Sequence, residues 1–176
     1  NNTINNCNIY DIFSATIAFA GVYVGTGNGS WTITNNNVYQ TVPRTQTTTF
    51  LINRGFWITP NTASLTSASG FTVNNNFIGG SASDGTGTMN LTGTSLSYYG
   101  MDLSVGVGTA TSVQGNTFSN TTITGPTGNP GYMGIGIANG NVNCGTVSGN
   151  LVGSNTVNGA ITLNSGAGGF GGLTGF

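Results

Sequence analysis

Charge is nearly absent from this chain. Its 176 residues hold two Lys+Arg and three Asp+Glu, namely Arg44, Arg54, Asp11, Asp84 and Asp102, with no Lys, Glu or His. A typical soluble domain is about one quarter charged, and the deficit excludes several function classes. Nucleic acids and anionic membrane surfaces are recognised by clustered Lys and Arg, which a net charge of −1 does not supply. Without His or Lys, a Ser nucleophile has no neighbouring base and no amine is available for covalent catalysis. The three aspartates fall in different phases of the repeat described below, so no two carboxylates share a strand for general acid–base work. A non-enzymatic protein is expected.

Long apolar runs are missing too. The most apolar stretch, residues 12–24, contains Ser14, Thr16 and Gly21 and falls short of the roughly 18 residues of a membrane span, so no membrane insertion is expected. Cysteine is scarce: Cys7 and Cys144 are the only two. Placed in the first and fourth of a set of stacked repeats, they would lie three strand spacings apart, about 14 Å, beyond disulfide reach. Two free thiols are expected, Cys7 as a buried substitute in a column of Asn. Neither has a His or Cys partner for a metal site, and no cofactor is implied. GGSASDG (79–85) has one Asp among hydroxyls, a weak hard-cation site, and the Gly-rich turns lack the Lys of a phosphate loop.

What the chain has is Gly, Asn and strand-forming side chains. Disorder usually combines high net charge with few aromatic and β-branched residues. Here 31 Gly accompany plentiful Val, Ile, Thr, Phe and Tyr, which favours strands separated by many turns. Helical spacing is not sustained anywhere, and Gly and Asn recur too often for helices of ordinary length.

Two phrases alternate along the chain. The first is an apolar residue, Asn three positions on and a second apolar residue five positions on: Ile33, Asn36, Val38; Val73, Asn76, Ile78; Val113, Asn116, Phe118; Val147, Asn150, Val152. Ile4, Cys7 and Ile9 keep the apolar pair with Cys in the Asn slot. The second phrase is small, apolar, any, apolar, as in Gly21–Val24, Gly55–Ile58, Gly100–Leu103, Gly134–Ile137 and Ala160–Leu163. Leu173 lies where a sixth copy of the first phrase would begin. Apolar residues at every second position mark strands with one buried face. Units repeating every 29 to 40 residues must stack to bury those faces.

The expected fold is therefore all-β: a right-handed parallel β-helix (solenoid) of about five stacked coils, with inserted loops and an internal Asn ladder, forming one segment over residues 1–176. Residues 41–50 and 81–95 read as loops or short excursions, and 124–131 as a turn. Stacking predicts three inward columns: Val22, Phe56, Met101, Ile135, Ile161; Val24, Ile58, Leu103, Ile137, Leu163; and Ile4, Ile33, Val73, Val113, Val147. Asn36, Asn76, Asn116 and Asn150 form the structural ladder at a corner, where Asn tolerates the left-handed conformation and its amide bonds to neighbouring rungs.

Two outward columns are candidate binding surfaces. Tyr23 and Trp57, with Asp102 next, could form a glycan-stacking platform or lie under the inserted loops; the loop-covered reading is favoured. Thr3, Thr32, Thr72, Ser112 and Thr146, flanked by Asn5, Thr34, Asn74, Gln114 and Ser148, form an uncharged column. It loosely resembles the ice-binding face of β-helical antifreeze proteins, although ordinary solvent-facing strands also choose Thr.

The stretches GSWTITNNNVYQT (29–41), GFTVNNNFIGGSA (70–82), LSVGVGTATSVQGNTFSN (103–120) and GNVNCGTVSGN (140–150) resemble repeat regions of very large secreted β-helical proteins of Bacteroidota. The resemblance implies an adhesin or surface-filament component, exported by type IX secretion and located extracellularly or at the cell surface. The expected function is a rigid scaffold or spacer; the rivals are a carbohydrate-binding module through the aromatics and an ice-binding face through the Thr column. Expected partners are flanking repeats of the same chain or identical subunits stacked end to end, and surface polysaccharide. Asn1 opens in mid-phrase without Met or signal peptide, as a mature or excised fragment of a longer repeat chain would.

Overall fold

A computed structural model describes residues 2–60, 66–166 and 172–174. All regular structure among these is β-strand, laid down in successive passes. The first pass holds β1 (Thr3–Asn5), β2 (Asn8–Tyr10) and β3 (Ala20–Val24). The second holds β4 (Thr32–Thr34), β5 (Asn37–Tyr39), β6 (Arg44–Thr45) and β7 (Ile52–Ile58). The third holds β8 (Thr72–Asn74), β9 (Phe77–Ile78), β10 (Met89–Thr92) and β11 (Ser97–Ser104). The fourth holds β12 (Thr111–Gln114), β13 (Thr117–Phe118), β14 (Thr121–Gly125) and β15 (Gly131–Asn139). The fifth holds β16 (Val142–Cys144), β17 (Leu151–Val152), β18 (Ile161–Ser165) and β19 (Gly172–Thr174).

Each strand pairs with its counterpart in the neighbouring pass, always in parallel. Four sheets result. In the order the chain visits them, the first is β1-β4-β8-β12-β16, the second β2-β5-β9-β13-β17, the third β6-β10-β14-β18 and the fourth β3-β7-β11-β15-β19. An all-β chain of parallel strands in stacked sheets, entered in a fixed cyclic order, is compatible with the expected solenoid.

Part of the third sheet lies inside segments that the sequence reading assigned to loops or a turn. Residues 41–50 contain β6, residues 81–95 contain β10, and β14 runs to Gly125 before the turn at 126–130. Met89, Leu91 and Ile123 from this sheet join the buried core with Val38, Ile78 and Phe118 of the second sheet and Phe56, Met101 and Ile135 of the fourth. The hydrophobic cluster is aliphatic and aromatic, each large apolar side chain contributing roughly 1.5–3 kcal/mol on burial, and it is accompanied by buried amides that include Asn36, Asn53, Asn76 and Asn116.

Most of the predicted register holds. Val22, Phe56, Met101 and Ile135 share one column and Val24, Ile58, Leu103 and Ile137 the next, although Ile137 is 43% exposed rather than inward. Ile161 and Leu163 do not continue them. They pair with Thr121 and Ile123 in the third sheet, because the chain crosses that sheet before returning to the fourth, and an apolar-any-apolar strand suits either. Leu173 pairs with Tyr132 in the fourth sheet and does not begin another copy of the first phrase.

The third column runs Ile4, Ile33, Val73, Val113 and then Cys144, not Val147. Val142 and Cys144 both pack against the core from one strand, whereas Val147 would contribute a single residue; it stands 92% exposed. Cys144 thus sits in the fifth strand of its sheet, four steps from β1 rather than three. Both thiols are free, and Cys7 is exposed, not buried.

The ladder forms as expected. The Nδ2 atoms of Asn36, Asn76 and Asn116 donate to Oδ1 of Asn76, Asn116 and Asn150 at 3.0, 2.9 and 2.9 Å. The same side chains reach back one pass: Nδ2 of Asn36, Asn76, Asn116 and Asn150 donates to the carbonyls of Ile4, Ile33, Val73 and Val113. The left-handed residue at the corner is not the ladder Asn but the one before it: Asn6, Asn35, Asn75 and Gly115 have φ of 53°, 56°, 56° and 62°. The corner therefore separates two tasks, with one residue turning the chain and the next bonding across rungs.

Candidate functional site

The fourth sheet carries the candidate site. Its strands β7 and β11 each alternate outward and inward up to a Gly, then place two successive residues inward and resume alternation, whereas β15 buries Gly134, Ile135 and Gly136 in succession and then runs exposed. Gly55 and Phe56 are both buried in β7. As a result Arg54 and Trp57, three positions apart, lie on the same outer face.

Tyr23, Trp57 and Asp102 stand in one outward column by register, as the sequence predicts; Gly136 follows them in register but is buried, and Thr162, expected beyond it, pairs with Thr122 in the third sheet instead. The Tyr23 and Trp57 rings have centroids 4.8 Å apart and are tilted by 42°. Tyr23 is 59% exposed, so the covering-loop reading does not hold for it. Its hydroxyl end lies over Gly25, where an added Cβ would come within 2.8 Å of the Tyr23 oxygen.

Sequence reasoning missed Arg54. It occupies the adjacent column, paired with Ala20 on one side and Tyr99 on the other. Its guanidinium carbon lies 4.4 Å from the Trp57 ring centroid and 5.7 Å from that of Tyr99. Its Nε donates to Asp102 Oδ2 at 2.6 Å and its Nη1 to the Ile52 carbonyl at 2.9 Å. Side-chain exposures of 15% and 20% make this a partly desolvated pair, stronger than a surface pair for its reduced screening. The available signal was NRGFW itself: a Gly within a strand marks an irregularity, and a phase break there puts the charge beside the Trp.

Ala18, Phe19, Ala20, Tyr23, Arg54 and Trp57 line a groove of about 220 Å³. It exists because the column Ala20, Arg54, Tyr99, Met133 begins with a methyl group where later strands carry long side chains. Its far wall is pinned by buried amides. Asn53 Oδ1 accepts from the Phe19 amide at 3.1 Å, and Gln46 Nε2 donates to the carbonyls of Ser14 and Ile17. Asn53 and Gln46 also bond each other, Nδ2 to Oε1, at 2.6 Å.

The Thr column is only partly assembled. Thr3, Thr32, Thr72 and Ser112 are in register, but Asn143 stands in the fifth place. Thr146 lies instead in the bulge after Cys144, where Gln114 Nε2 donates to its hydroxyl at 3.2 Å and Gln114 Oε1 accepts from the amides of Val147 and Ser148. Thr34 and Ser112 hydroxyls bond to Asn5 and Asn74 Oδ1, so the flanking polar column is tied up internally.

The other carboxylates serve local structure. Asp11 accepts from Thr41 N and Oγ1 at 2.9 and 2.7 Å and pairs with Arg44 Nη2 at 2.6 Å. Asp84 Oδ1 accepts from Thr86 N and Oγ1. Among the described residues no group of three or more His, Cys, Asp or Glu could hold a metal ion, and no helix is long and apolar enough to cross a membrane. No family model, curated protein or solved structure matches the chain.

Proposed function

We propose that this chain is a right-handed parallel β-helix of about five coils, serving as a rigid scaffold or spacer in an extracellular adhesin or cell-surface filament. One observation carries the reading: the chain enters four parallel sheets in the same cyclic order on every full pass. A crossover between parallel strands of one sheet is right-handed in about 98% of cases, which supports the handedness. Asn side chains that each bond to the passes before and after lock successive coils at fixed spacing, a property suited to bearing load rather than turning over substrate. The surface location and export by type IX secretion rest on the resemblance of the repeat stretches.

The proposed partners are further coils, from the same chain or from identical subunits stacked end to end. In support, Val152, Val157, Ala160, Ile161 and Leu173 help to line an open cavity of about 380 Å³ beside the last pass, and Val157 and Leu173 are 61% and 60% exposed. Exposed strand edges and apolar side chains of this kind invite a further strand layer. Sedimentation velocity over a concentration series should show association of the 176-residue chain into elongated species. A sample that stays monomeric at every concentration and unfolds cooperatively would sink the stacking model.

A further inference from the structure

We propose that the groove between Ala20, Tyr23 and Trp57 is a binding site for one neutral pyranose unit of a polysaccharide. This goes beyond the scaffold reading and stands independently of it. The occupant's chemistry follows from three features of the walls.

First, the groove is open and ring-sized. Its volume of about 220 Å³ lies below the roughly 300–1,000 Å³ of pockets that enclose drug-sized ligands, so it takes one ring rather than an oligomer, with the rest of a polymer lying outside. Second, it offers aromatic surface: Tyr23 and Trp57 present tilted rings 4.8 Å apart. The negative face of an aromatic ring attracts the weakly positive C–H groups of an apolar ligand face, and a pyranose has such faces. Third, its polar rim is charge-balanced. Arg54, the charged residue of the lining, is matched by Asp102 at 2.6 Å, so the groove presents no net charge to attract an anion or a cation, while the guanidinium can still donate to uncharged hydroxyls. Among the described residues Arg54 Nε and Nη1 are engaged with Asp102 and Ile52, and Nη2 is left to donate to a sugar hydroxyl. Apolar C–H faces and uncharged hydroxyls on one ring define a neutral sugar.

The site is also held in place before a ligand arrives. The Phe19 wall is fixed by Asn53, and the Arg54 amide donates to the Phe19 carbonyl at 2.9 Å. Preorganisation of this kind lowers the ordering cost of binding.

The test is affinity electrophoresis of the intact chain through native gels containing galactomannan, xyloglucan or mixed-linkage glucan, with polygalacturonate as the acidic comparison and a gel without polysaccharide as the reference. At least one neutral polymer should retard the protein more than polygalacturonate does. Trp57→Ala should weaken that retardation about tenfold or more, as truncating a central aromatic contact does. Tyr23→Ala and Gly25→Ala, which remove or displace a ring that is largely exposed, should weaken it with an unchanged circular dichroism spectrum; these two variants keep the test decisive if Trp57→Ala fails to fold. No retardation by any neutral polymer, equal retardation of the parent and the Tyr23→Ala variant, or stronger retardation by polygalacturonate would each overturn the proposal. Loss of self-association in the Tyr23→Ala variant without sugar binding by the parent would identify a second copy of the chain as the occupant instead.

Discussion

Asn76 shows how much one uncharged side chain carries in this molecule. It is 1% exposed; its Oδ1 accepts from both the backbone N and Nδ2 of Asn36 at 3.0 Å, and its Nδ2 donates to the Ile33 carbonyl and to Asn116 Oδ1 at 2.9 Å. Three consecutive passes meet at one amide. Truncation in Asn76→Ala would leave buried donors on Asn36 and a buried acceptor on Ile33 without partners, each costing about 1–3 kcal/mol. Urea denaturation should therefore show a loss of about 3 kcal/mol or more. Pairing it with Asn116→Ala should be non-additive, because the two residues share a bond. A loss below about 1 kcal/mol would mean that the corner is held by packing alone. Asn76→Asp should not rescue, since a carboxylate satisfies Asn36 but cannot donate to Ile33 or Asn116. Cys7 keeps only half the pattern: its backbone amide donates to Asn36 Oδ1 at 3.0 Å, while its thiol turns to the Asn5 carbonyl.

Among the elements, the long strands of the fourth sheet depend on a column of glycines. Gly21, Gly55 and Gly100 face the second sheet, where an added Cβ would lie 2.9 Å from Val38, 2.8 Å from Ile78 and 2.2 Å from Phe118 in turn, and 2.8, 2.5 and 2.7 Å from the carbonyl oxygens of Gly55, Gly100 and Gly134. The side chains opposite fill the space a β-carbon would take. Gly100→Ala should destabilise the fold by about 1–3 kcal/mol, the range for overpacking a dense core. Adding Phe118→Leu should recover only part of this, because the contact with the Gly134 carbonyl remains; full recovery would refute the backbone half of the argument. These glycines were legible in the sequence as the small residue of the second phrase, and the first phrase likewise revealed the ladder and the second sheet. The third sheet was not, because β6 is two residues long and β10 and β14 sit among Gly, Ser and Thr that read as turns. Cys144 displaced Val147 because V-N-C and T-V-S-G-N compete for one corner, and only the former buries two side chains. In the candidate site, Tyr23, Trp57 and Asp102 were placed by register, whereas Arg54 needed the phase break at Gly55, which spacing alone does not disclose.

For the whole molecule, the scarcity of ionisable groups fixes how stability depends on pH. At the acid end, burial raises the Asp11 carboxyl, but hydrogen bonds from Thr41 and Arg44 and the Arg44 charge outweigh it and hold it below the usual value; Thr86 does the same for Asp84. A depressed folded pKa means that stability is present above the unfolded value near 4 and lost as pH falls through the folded one. Asp84 is exposed and Asp11 only half-buried, so this limb is shallow. At the alkaline end burial drives the Tyr98 and Tyr132 phenols far up, Tyr98 adding to the shift of Tyr132, and burial also raises the Cys144 thiol against a hydrogen bond from Asn150. A raised folded pKa has the opposite sign: the stability is complete below the unfolded value, near 8.5 for a thiol and about 10 for a phenol, and falls as pH rises. Each buried phenol steepens the loss by up to about 1.4 kcal/mol per pH unit. The stability curve should accordingly be flat between about pH 5 and 8, bend slightly above that through Cys144, and fall steeply beyond about pH 10. Tyr132→Phe isolates the cause. The Tyr132 hydroxyl is buried and has no hydrogen-bond partner among the described residues, so its removal should be neutral or stabilising at pH 7 while flattening the alkaline limb by about one phenol's share. Denaturant titrations of the parent and the variant from pH 4 to 11 separate the outcomes: parallel alkaline limbs would show that Tyr132 ionises in the folded chain and that its burial does not control the transition.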